Sequence, residues 1–343
     1  ESENPYFQKV ISFVNLWKSG AETIQIKTSG STGIPKVIDI KRGQMVASAK
    51  MTAQIFGLKE GSHLFCCLNV DFIAGMMMMV RAMELKAQVT VIEPVNNPFL
   101  NIHSDKKYDF AAFVPMQMEA ILENDQSKKY LNKTSGLQNI IIGGAAVNEN
   151  ISTKIESIAI PCFATYGMTE TVSHVAIRPL NGENKSPYFQ KLNEIDFEID
   201  DRNCLKIKGD CTDNQWVQTN DIVEMINSHS FKLLGRADRV INSGGIKIFL
   251  DRVEKDIETV VHEYFHNNVR YFLFGIADQK LGEKLAIVIE AENPNFLTNC
   301  KDIFKNSTLS RYSLPKEVFF MPTFIPTESG KIDYKNTIKQ LLN

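Results

Sequence analysis

The sequence predicts an α/β protein with a large N-terminal α/β domain, a small β-rich subdomain within it, and a smaller C-terminal α+β domain. Between residues 24 and 180, short β-rich runs alternate with helical segments, which is the pattern of α/β layering. Short alternating strands separated by turn residues follow at 186–234, and the pattern changes again after Gly235. The chain has 343 residues, a length that favours two domains, and we expect these to be 1–235 and 236–343.

The first part of the predicted fold alternates strands with helices. Its predicted strands are 24–27, 37–40, 88–92, 110–114 and 139–142. The apolar run 72–80 ends at Arg81 and is too short to span a membrane. It predicts a buried helix, whose methionines can fill irregular space in a core.

The later parts of the chain are expected to be built differently. Residues 197–199 and 204–208 are predicted strands of the β-rich subdomain. The C-terminal part predicts an amphipathic helix over 253–265, strands over 271–275 and 285–290, a further helix, and a last strand over 317–321. This region of about a hundred residues has the usual size of a domain.

Composition excludes some classes of partner. Lysine and arginine total 38 and aspartate and glutamate total 40, which gives a formal net charge of −2. A chain with this balance has no global field that would attract nucleic acid or an anionic membrane, so we expect neither as a partner. The cysteines show no CxxC spacing, and Cys66 and Cys67 lie in an apolar run, as reduced thiols do. With no secretory signal at the start of the sequence, we expect a cytoplasmic protein.

A loop rich in glycine and hydroxyl groups carries the clearest functional signal. It comprises Thr28, Ser29, Gly30, Ser31, Thr32, Gly33, Ile34, Pro35 and Lys36. Its backbone N–H groups and hydroxyls can converge on one phosphate, and its lysine adds a mobile positive charge. The Walker spacing GxxxxGK[ST] is absent, and strand-like sequence on both sides predicts a hairpin loop. Taken alone, the same residues could form a flexible surface turn.

A second motif follows the strand-like segment 161–165. It comprises Tyr166, Gly167, Met168, Thr169 and Glu170. An aromatic face suits adenine, a hydroxyl suits phosphate, and a carboxylate suits Mg²⁺, which prefers oxygen ligands. Alone, this pentapeptide could be a strand end and a helix cap. Further blocks follow at 219–221, 234–239, 241–248 and 326–332.

This ordered set of motifs resembles the adenylate-forming superfamily of acyl-CoA synthetases, nonribosomal-peptide adenylation domains and luciferases. The resemblance runs from about Thr28 to Lys335, and the length and the loop 142–146 look most like the o-succinylbenzoate–CoA ligases of menaquinone biosynthesis. It implies an acid–thiol ligase that uses ATP, Mg²⁺ and CoA. Such an enzyme forms an acyl adenylate from a small carboxylic acid and then an acyl-CoA thioester.

The resemblance also implies roles for residues of the large domain. Residues 28–36 would hold the β- and γ-phosphates, Thr169 would contact phosphate, and Glu170 would bind Mg²⁺. The residues expected around adenine and the acyl group are Tyr166, Gly167, Met168, Gly143, Gly144 and Ala145. Asp221 would accept hydrogen bonds from the ribose hydroxyls, and Arg236 would contact ribose or phosphate.

In the C-terminal part the resemblance implies a catalytic lysine, a hinge and a CoA-side segment. Lys331 would bridge the substrate carboxylate and the α-phosphate, where two anions must approach and charge accumulates on the phosphorus oxygens. The small domain would be mobile and rotate about Asp238, bringing Gly244 and Gly245 towards the thiol tunnel. Glycine fits there because it allows a close approach of backbone to ligand. Few residues follow Gly330, so we expect free CoA as acceptor instead of a fused carrier domain.

Candidates for binding the acid lie near the predicted pocket helix and after Glu170. A second carboxylate of o-succinylbenzoate would need a partner, because an unpaired buried charge is costly. The candidates are Arg81, Arg178, Ser173 and His174, each of which could instead form a surface ion pair or a satisfied polar group. Phe72 stands where many relatives carry a Pro-Leu-Phe-His-like run. Only 27 residues precede the phosphate loop, so we expect a minimal or incomplete large domain. The oligomeric state is open, a homodimer being one arrangement.

Other functions are compatible with parts of the sequence. The chain could activate a different aryl acid or load a carrier protein, and a non-catalytic nucleotide-binding relative would lack Glu170 or Lys331, which are both present. His262, Glu263 and His266 match HExxH, the pattern of a zinc metallopeptidase. No third ligand is evident downstream, and the apolar face of this predicted helix favours packing. That face comprises Val253, Ile257, Val260, Val261 and Tyr264.

Overall fold

A computed structural model describes residues 3–28, 36–100, 102, 106–132, 136–265, 269–291, 304, 313–326 and 332–342. The helices in chain order are α1 Pro5–Lys18, α2 Arg42–Phe56, α3 Ile73–Glu84, α4 Pro115–Glu123, α5 Asp125–Lys128, α6 Glu149–Glu156, α7 Leu250–Phe265 and α8 Tyr334–Leu342. The strands of the first half are β1 Thr23–Thr28, β2 Lys36–Lys41, β3 His63–Cys66, β4 Gln88–Val91, β5 Phe110–Phe113, β6 Ile140–Ile142, β7 Cys162–Gly167 and β8 His174–Pro179. The later strands are β9 Phe189–Lys191, β10 Ile195–Ile199, β11 Cys204–Gly209, β12 Val217–Asn227, β13 Ser230–Arg236, β14 Val240–Ser243, β15 Ile246–Phe249, β16 Tyr271–Asp278, β17 Gly282–Glu290 and β18 Glu317–Met321.

The predicted hairpin around the phosphate loop is confirmed by the pairing of its two strands. β1 and β2 pair antiparallel from Thr23 opposite Lys41 to Thr28 opposite Lys36. The seven residues between them, 29–35, lie outside the described residues. The two ends of the loop are therefore held opposite each other by a six-residue ladder.

A parallel sheet with helices on both faces forms the centre of the N-terminal part. Its parallel strands lie in the order β4-β3-β5-β6-β7. Successive residues of β5 point to opposite faces, so Phe110 joins the core beneath α1, α2 and α3, whereas Ala111 joins the core beneath α4 and α6. The predicted buried helix is confirmed from Ile73 onwards, where α3 begins, and its Met77, Met78 and Met79 are at most 1% exposed; Phe72 lies before the helix.

The strands predicted for the β-rich subdomain are present and continue the same sheet. Antiparallel pairing from β7 through β8 and β9 reaches β13, then β12, β11 and β10, which makes one 11-stranded sheet. The sequence reasoning did not predict β3 or β8. β3 is a four-residue strand with three fully buried residues, which periodicity alone does not distinguish from a helical run.

A second sheet begins just after residue 236. Its order is β15-β14-β17-β16, and β18 pairs in parallel with β17. Ile257 of α7 packs against one face of this sheet, and Phe324, with the partly buried Ile338 of α8, packs against the other. The change of sheet falls between Arg236 and Val240, and the division into domains 1–235 and 236–343 stays a prediction. The helix predicted between 290 and 317 lies almost wholly outside the described residues.

Within the part of the chain that the structure describes, no helix combines the length and apolar character needed to cross a membrane.

Candidate active site

The carboxyl ends of β6 and β7 bring two of the predicted motifs together. Thr165 of β7 donates a hydrogen bond from Oγ1 to the carbonyl of Ile142, the last residue of β6, at 3.2 Å. A Cβ atom on Gly143 would lie 2.2 Å from that same Oγ1, so any larger residue would force the Thr165 hydroxyl away from its hydrogen bond to Ile142. The segment 143–145 is therefore held beside the strand that leads to Tyr166.

Replacing Gly143 with alanine is expected to destabilise the protein by about 1–3 kcal/mol and to raise the KM for ATP, because the added methyl group overpacks this crossing. Thermal unfolding and the KM for ATP are the measurements. The double variant Gly143→Ala with Thr165→Ala should recover most of the stability relative to Thr165→Ala alone, because the clashing hydroxyl is gone. A single Gly143→Ala variant as stable as the wild type would contradict the tight crossing.

A short turn after β7 presents the predicted phosphate and magnesium residues. Thr169 and Glu170 lie in a 3-10 turn, in which Thr169 is half-buried and Glu170 is exposed. The hydroxyl of Thr171 accepts a hydrogen bond from the Met168 backbone N–H at 3.0 Å and so closes the turn. A single exposed carboxylate fits Mg²⁺, which binds through one or two carboxylates and the phosphates of its nucleotide. The roles of Thr169 and Glu170 stay predictions.

Val172 reverses the chain directly after this turn. Its φ is 67° and its ψ is −54°, and the N–H of Ser173 donates to the carbonyl of Thr171 at 2.7 Å, which defines a γ-turn. This conformation is rare and strained for a β-branched residue, and the Val172 side chain is fully buried. The turn delivers Ser173 and His174 from the Glu170 side of the site into the core beneath α2 and α3.

Tyr166 and Asp221 form the second part of the site. The Tyr166 hydroxyl donates to Oδ2 of Asp221 at 2.6 Å, and its ring packs against Phe231 with centroids 5.1 Å apart. Burial, followed by the neighbouring Asp221 charge, raises the pKa of Tyr166. Tyr166 is only 8% exposed, so its ring has little free face in this structure, and its packing against adenine stays a prediction.

Arg236 connects Asp221 to the predicted hinge. It lies opposite Asp221 on the neighbouring strand, with Nη1 at 3.5 Å from Oδ1 of that residue. Its Nε and Nη2 each donate to Asp238 at 2.9 Å. These hydrogen bonds raise the pKa of Arg236. Burial alone would raise the pKa of Asp238, but the hydrogen bonds and charge of Arg236 outweigh it and hold that pKa below its usual value. The predicted nucleotide residue and the predicted hinge residue are thus directly bonded.

Arg239 and Tyr334 belong to this region although the sequence reasoning did not single them out. Arg239 forms ion pairs with Asp251 and Glu254 of α7, and its guanidinium carbon lies 4.4 Å from the centroid of the Tyr334 ring. Asp251 also accepts a hydrogen bond from the Arg236 backbone N–H at 3.0 Å. The segment after the predicted hinge is therefore fixed to α7 and to the first residue of α8.

A buried polar cluster contains three of the five candidates for binding the acid, namely Arg81, Ser173 and His174. Arg81 is 1% exposed, and its Nη2 donates to Ser173 Oγ at 2.8 Å. Ser173 Oγ also lies 3.2 Å from Nδ1 of His174. Thr52 of α2, which the sequence reasoning missed, lies 3.1 Å from Arg81 Nε. Burial lowers the pKa of Arg81 to about 10, and burial with the Arg81 charge lowers that of His174 to about 3.

The other acid-binding candidates lie elsewhere. Phe72 precedes α3 and is 48% exposed. Arg178 lies on β8, with its guanidinium carbon 5.5 Å from the Phe189 ring centroid, and burial lowers its pKa. Neither is bonded to the cluster around Arg81 in the hydrogen bonds of the described residues, so the structure groups only Arg81, Ser173 and His174.

The remaining predicted residues are placed in part. Gly244 and Gly245 form the two-residue turn between β14 and β15, with φ of 61° and 83°, the left-handed pair that a tight hairpin requires. Pro326 and Ile332 form an antiparallel bridge on either side of Lys331. Lys331 itself, the loop residues 29–35 and the side chains of Thr28 and Lys36 lie outside the described residues.

The HExxH segment lies at the end of α7, where packing explains the helix. Three of the five predicted apolar-face residues are buried, namely Val253, Ile257 and Val261. The prediction was wrong for Tyr264, which is 42% exposed and is absent from the cluster of residues that packs α7 against the sheet. His266 and the side chain of His262 lie outside the described residues. Within the described part of the chain, no group of three or more His, Cys, Asp or Glu side chains could hold a metal ion.

Comparison with solved structures and curated proteins gives consistent relatives. A protein of Dyadobacter fermentans, described as an acyl-CoA synthetase (AMP-forming)/AMP-acid ligase II-like protein, is 42% identical with a TM-score of 0.66, over 99% of this chain and 95% of that one. The o-succinylbenzoate coenzyme A synthetase of Bacillus subtilis, in complex with ATP and magnesium ion, is 19% identical with a TM-score of 0.73, over 92% of this chain and 69% of that one. The 2-succinylbenzoate–CoA ligase of Bacillus cytotoxicus is 24% identical over 100% of this chain and 74% of its own length.

Residues 24–202, more than half of the chain, match the family described as AMP-binding enzyme. This segment contains the hairpin of β1 and β2, the crossing at Gly143 and the turn at Glu170. The chain belongs to the AMP-binding enzyme family.

Proposed function

We propose that the chain is an AMP-forming acid–CoA ligase, with o-succinylbenzoate as its acid. The observation that carries the proposal is the bonded series Tyr166–Asp221–Arg236–Asp238, which joins the predicted ribose acceptor to the predicted hinge. Family membership and relatives named 2-succinylbenzoate–CoA ligase support the activity and the choice of acid. The buried cation Arg81, close to the Glu170 turn, supports an acid with a second carboxylate.

The proposed reaction has two steps. In the first, an oxygen of the substrate carboxylate attacks the α-phosphorus of ATP, a new P–O bond forms, and pyrophosphate leaves. In the second, the CoA thiolate attacks the acyl carbonyl, the thioester forms, and AMP leaves with the electron pair of the broken C–O bond. ATP is bound with Mg²⁺ in related complexes, and that ion would neutralise phosphate charge.

The chain's own residues would hold the reactants. Residues 28–36 would bind the phosphates that leave as pyrophosphate, and Glu170 would hold the magnesium ion. Asp221 would accept the ribose hydroxyls while Tyr166 fixes the direction of its carboxylate. Lys331 would stabilise the charge that builds on the α-phosphate, in the way that preorganised cations do in phosphoryl transfer. The small domain would then rotate about Asp238. Lys331 would leave the active site, and the Gly244–Gly245 hairpin would take its place.

A panel of acids tests the proposed function. The purified chain should form AMP and an acyl-CoA in equal amounts from o-succinylbenzoate, ATP and CoA, with Mg²⁺ required. If the chain forms a thioester only from another aryl acid, the proposed ligase activity would stand and o-succinylbenzoate would be rejected as its substrate. Transfer to a carrier-protein pantetheine but not to free CoA would favour a carrier-loading enzyme. We also propose a cytoplasmic location, which the described cysteines, all free thiols, support.

A further inference from the structure

Arg81 is a buried cation whose described partners are all neutral. Its Nε lies 3.1 Å from Thr52 Oγ1, its Nη2 lies 2.8 Å from Ser173 Oγ, and its Nη1 lies 3.6 Å from the sulfur of Met78. No acidic side chain of the described residues forms an ion pair with it. A buried charge without a countercharge is costly. The hydrogen bonds around the guanidinium must therefore offset part of that cost, and they also fix its orientation.

Counting protons fixes the direction of these hydrogen bonds. The Thr52 hydroxyl has one proton, which it donates to the carbonyl of Ser48 at 3.0 Å. Thr52 Oγ1 is therefore an acceptor towards Arg81 Nε and towards Nε2 of His174, which lies at 3.5 Å. Nε2 of His174 must then carry its proton, which makes Nδ1 the acceptor. Ser173 donates to Nδ1 at 3.2 Å and accepts from Arg81 Nη2.

The four side chains therefore form a closed ring in which each hydroxyl and each ring nitrogen has a consistent donor or acceptor role. Arg81 donates to Ser173 and Thr52, Ser173 donates to His174, and His174 donates to Thr52. This arrangement requires a neutral His174. A second ring proton would turn Nδ1 from an acceptor into a donor, and the hydroxyl proton of Ser173 would then lose its acceptor. The lowered pKa of His174, caused by burial and by the Arg81 charge, agrees with the neutral form.

The ring uses only part of the hydrogen-bonding capacity of the guanidinium. A guanidinium has five N–H groups, and the described residues accept hydrogen bonds from three of them, one through the weakly accepting sulfur of Met78. Two N–H groups, one on each terminal nitrogen, therefore have no acceptor among the described residues, and two is the number that a carboxylate can accept as a pair. Ser173 lies three residues after Glu170, so this cation is near the predicted nucleotide and acid site.

We propose that Thr52 and His174 are positioning residues that hold the Arg81 guanidinium for the second carboxylate of the acid, and so make the enzyme prefer a dicarboxylic over a monocarboxylic substrate. This inference rests on the proposed acid–CoA ligase activity. Thr52 lies on α2, outside the motifs that mark the nucleotide site, and acts through Arg81 without touching the reacting atoms.

The test compares two acids in the same variants. One acid is o-succinylbenzoate, and the other is 4-oxo-4-phenylbutanoate, which keeps the succinyl chain and lacks the ring carboxylate. Thr52→Val keeps the shape of the side chain and removes the oxygen that accepts from both Arg81 and His174. We expect it to raise the KM for o-succinylbenzoate by roughly tenfold or more, the usual consequence of unpairing a charged donor, with kcat and the KM for the monoacid little changed.

Three further variants separate positioning from folding. Thr52→Ser restores the hydroxyl and should recover the KM for the diacid. His174→Leu should raise the same KM selectively, because it removes both ring nitrogens. Ser48→Ala is the matched control: this hydroxyl is equally buried, one turn earlier on α2, and has no hydrogen-bond partner within the described structure, so its removal should leave both KM values unchanged.

Several outcomes would overturn the inference. A parallel rise of both KM values in Thr52→Val, with a lowered Tm, would show a purely structural role. Equal KM values for the two acids in the wild type would show that the second carboxylate does not contribute to binding, while the proposed ligase activity itself would stand. Activation of neither acid by the wild type would reject the proposed acid and this inference together.

Discussion

Replacing Lys331 with alanine is expected to slow acyl-adenylate formation by roughly a hundredfold to a thousandfold, the usual effect of deleting one preorganised group that stabilises transition-state charge. The carboxylate and the α-phosphate are both anions, so their approach depends on a cation between them. Formation of the thioester from preformed acyl adenylate should be largely kept, because the thiolate attacks the acyl carbonyl carbon in that step and no bond to the α-phosphorus is formed. Single-turnover rates for the two half-reactions measure this separation.

Lys335→Ala is the matched control for that variant. Lys335 is an exposed lysine in α8, four residues later in the chain, and its removal changes the net charge by the same amount. Both half-reactions should proceed at wild-type rates in this control. Equal losses of adenylation and thioester formation in Lys331→Ala would contradict the proposed role of Lys331.

Replacing Glu170 with glutamine is expected to lower the adenylation rate by on the order of a hundredfold and to raise the Mg²⁺ concentration needed for half-maximal rate. Glutamine keeps the size of the side chain but removes the negative charge that would bind the cation. The exposed position of Glu170 on its 3-10 turn makes a large loss of stability unexpected, so Tm should change little. A magnesium titration of the reaction rate is the measurement.

Glu183→Gln provides the comparison for Glu170→Gln. Glu183 is also exposed and lies between β8 and β9, away from the strand ends that form the site. Its replacement should leave both the maximal rate and the magnesium dependence unchanged. A Glu170→Gln variant with an unchanged magnesium requirement would remove Glu170 from the proposed metal site.

Sequence patterns predicted the parts of the fold that depend on local periodicity. The flanks of the phosphate loop alternate as strands do, and they form the hairpin of β1 and β2. The methionine-rich run 72–80 lies in α3 from Ile73 onwards, because a helix that is apolar on most sides is stable only when it is buried. The strands of the β-rich region were also predicted, but their union with the parallel sheet depends on antiparallel pairing through β8, which follows from long-range contacts.

The contacts between motifs could not be predicted from the sequence, because they join residues that are distant along the chain. Tyr166 and Asp221 are separated by 55 positions, and the motif around each gives no sign that the hydroxyl bonds the carboxylate. Thr52 is an ordinary helix residue in sequence, and only the fold brings it 3.1 Å from Arg81. Arg239 stands in a recognised motif, yet its stacking on Tyr334 depends on how α8 docks.

Backbone conformation was a further source of information that sequence did not offer. Valine is disfavoured at positive φ, so no turn rule would place Val172 in a γ-turn. Tertiary packing overrides that preference, since the buried Val172 side chain is fixed in the core beside α3. The strained residue therefore lies between Glu170 and Ser173, two residues of the candidate site. Strained backbone is often found at functional sites.

ATP–pyrophosphate exchange in the presence of o-succinylbenzoate tests the central claim most directly, because it reports acyl-adenylate formation without CoA. With Mg²⁺ present, the chain should return labelled pyrophosphate to ATP at a rate that depends on the acid and saturates with its concentration. Background exchange with every acid tried, o-succinylbenzoate included, would contradict the assignment of this chain as an acid-activating ligase.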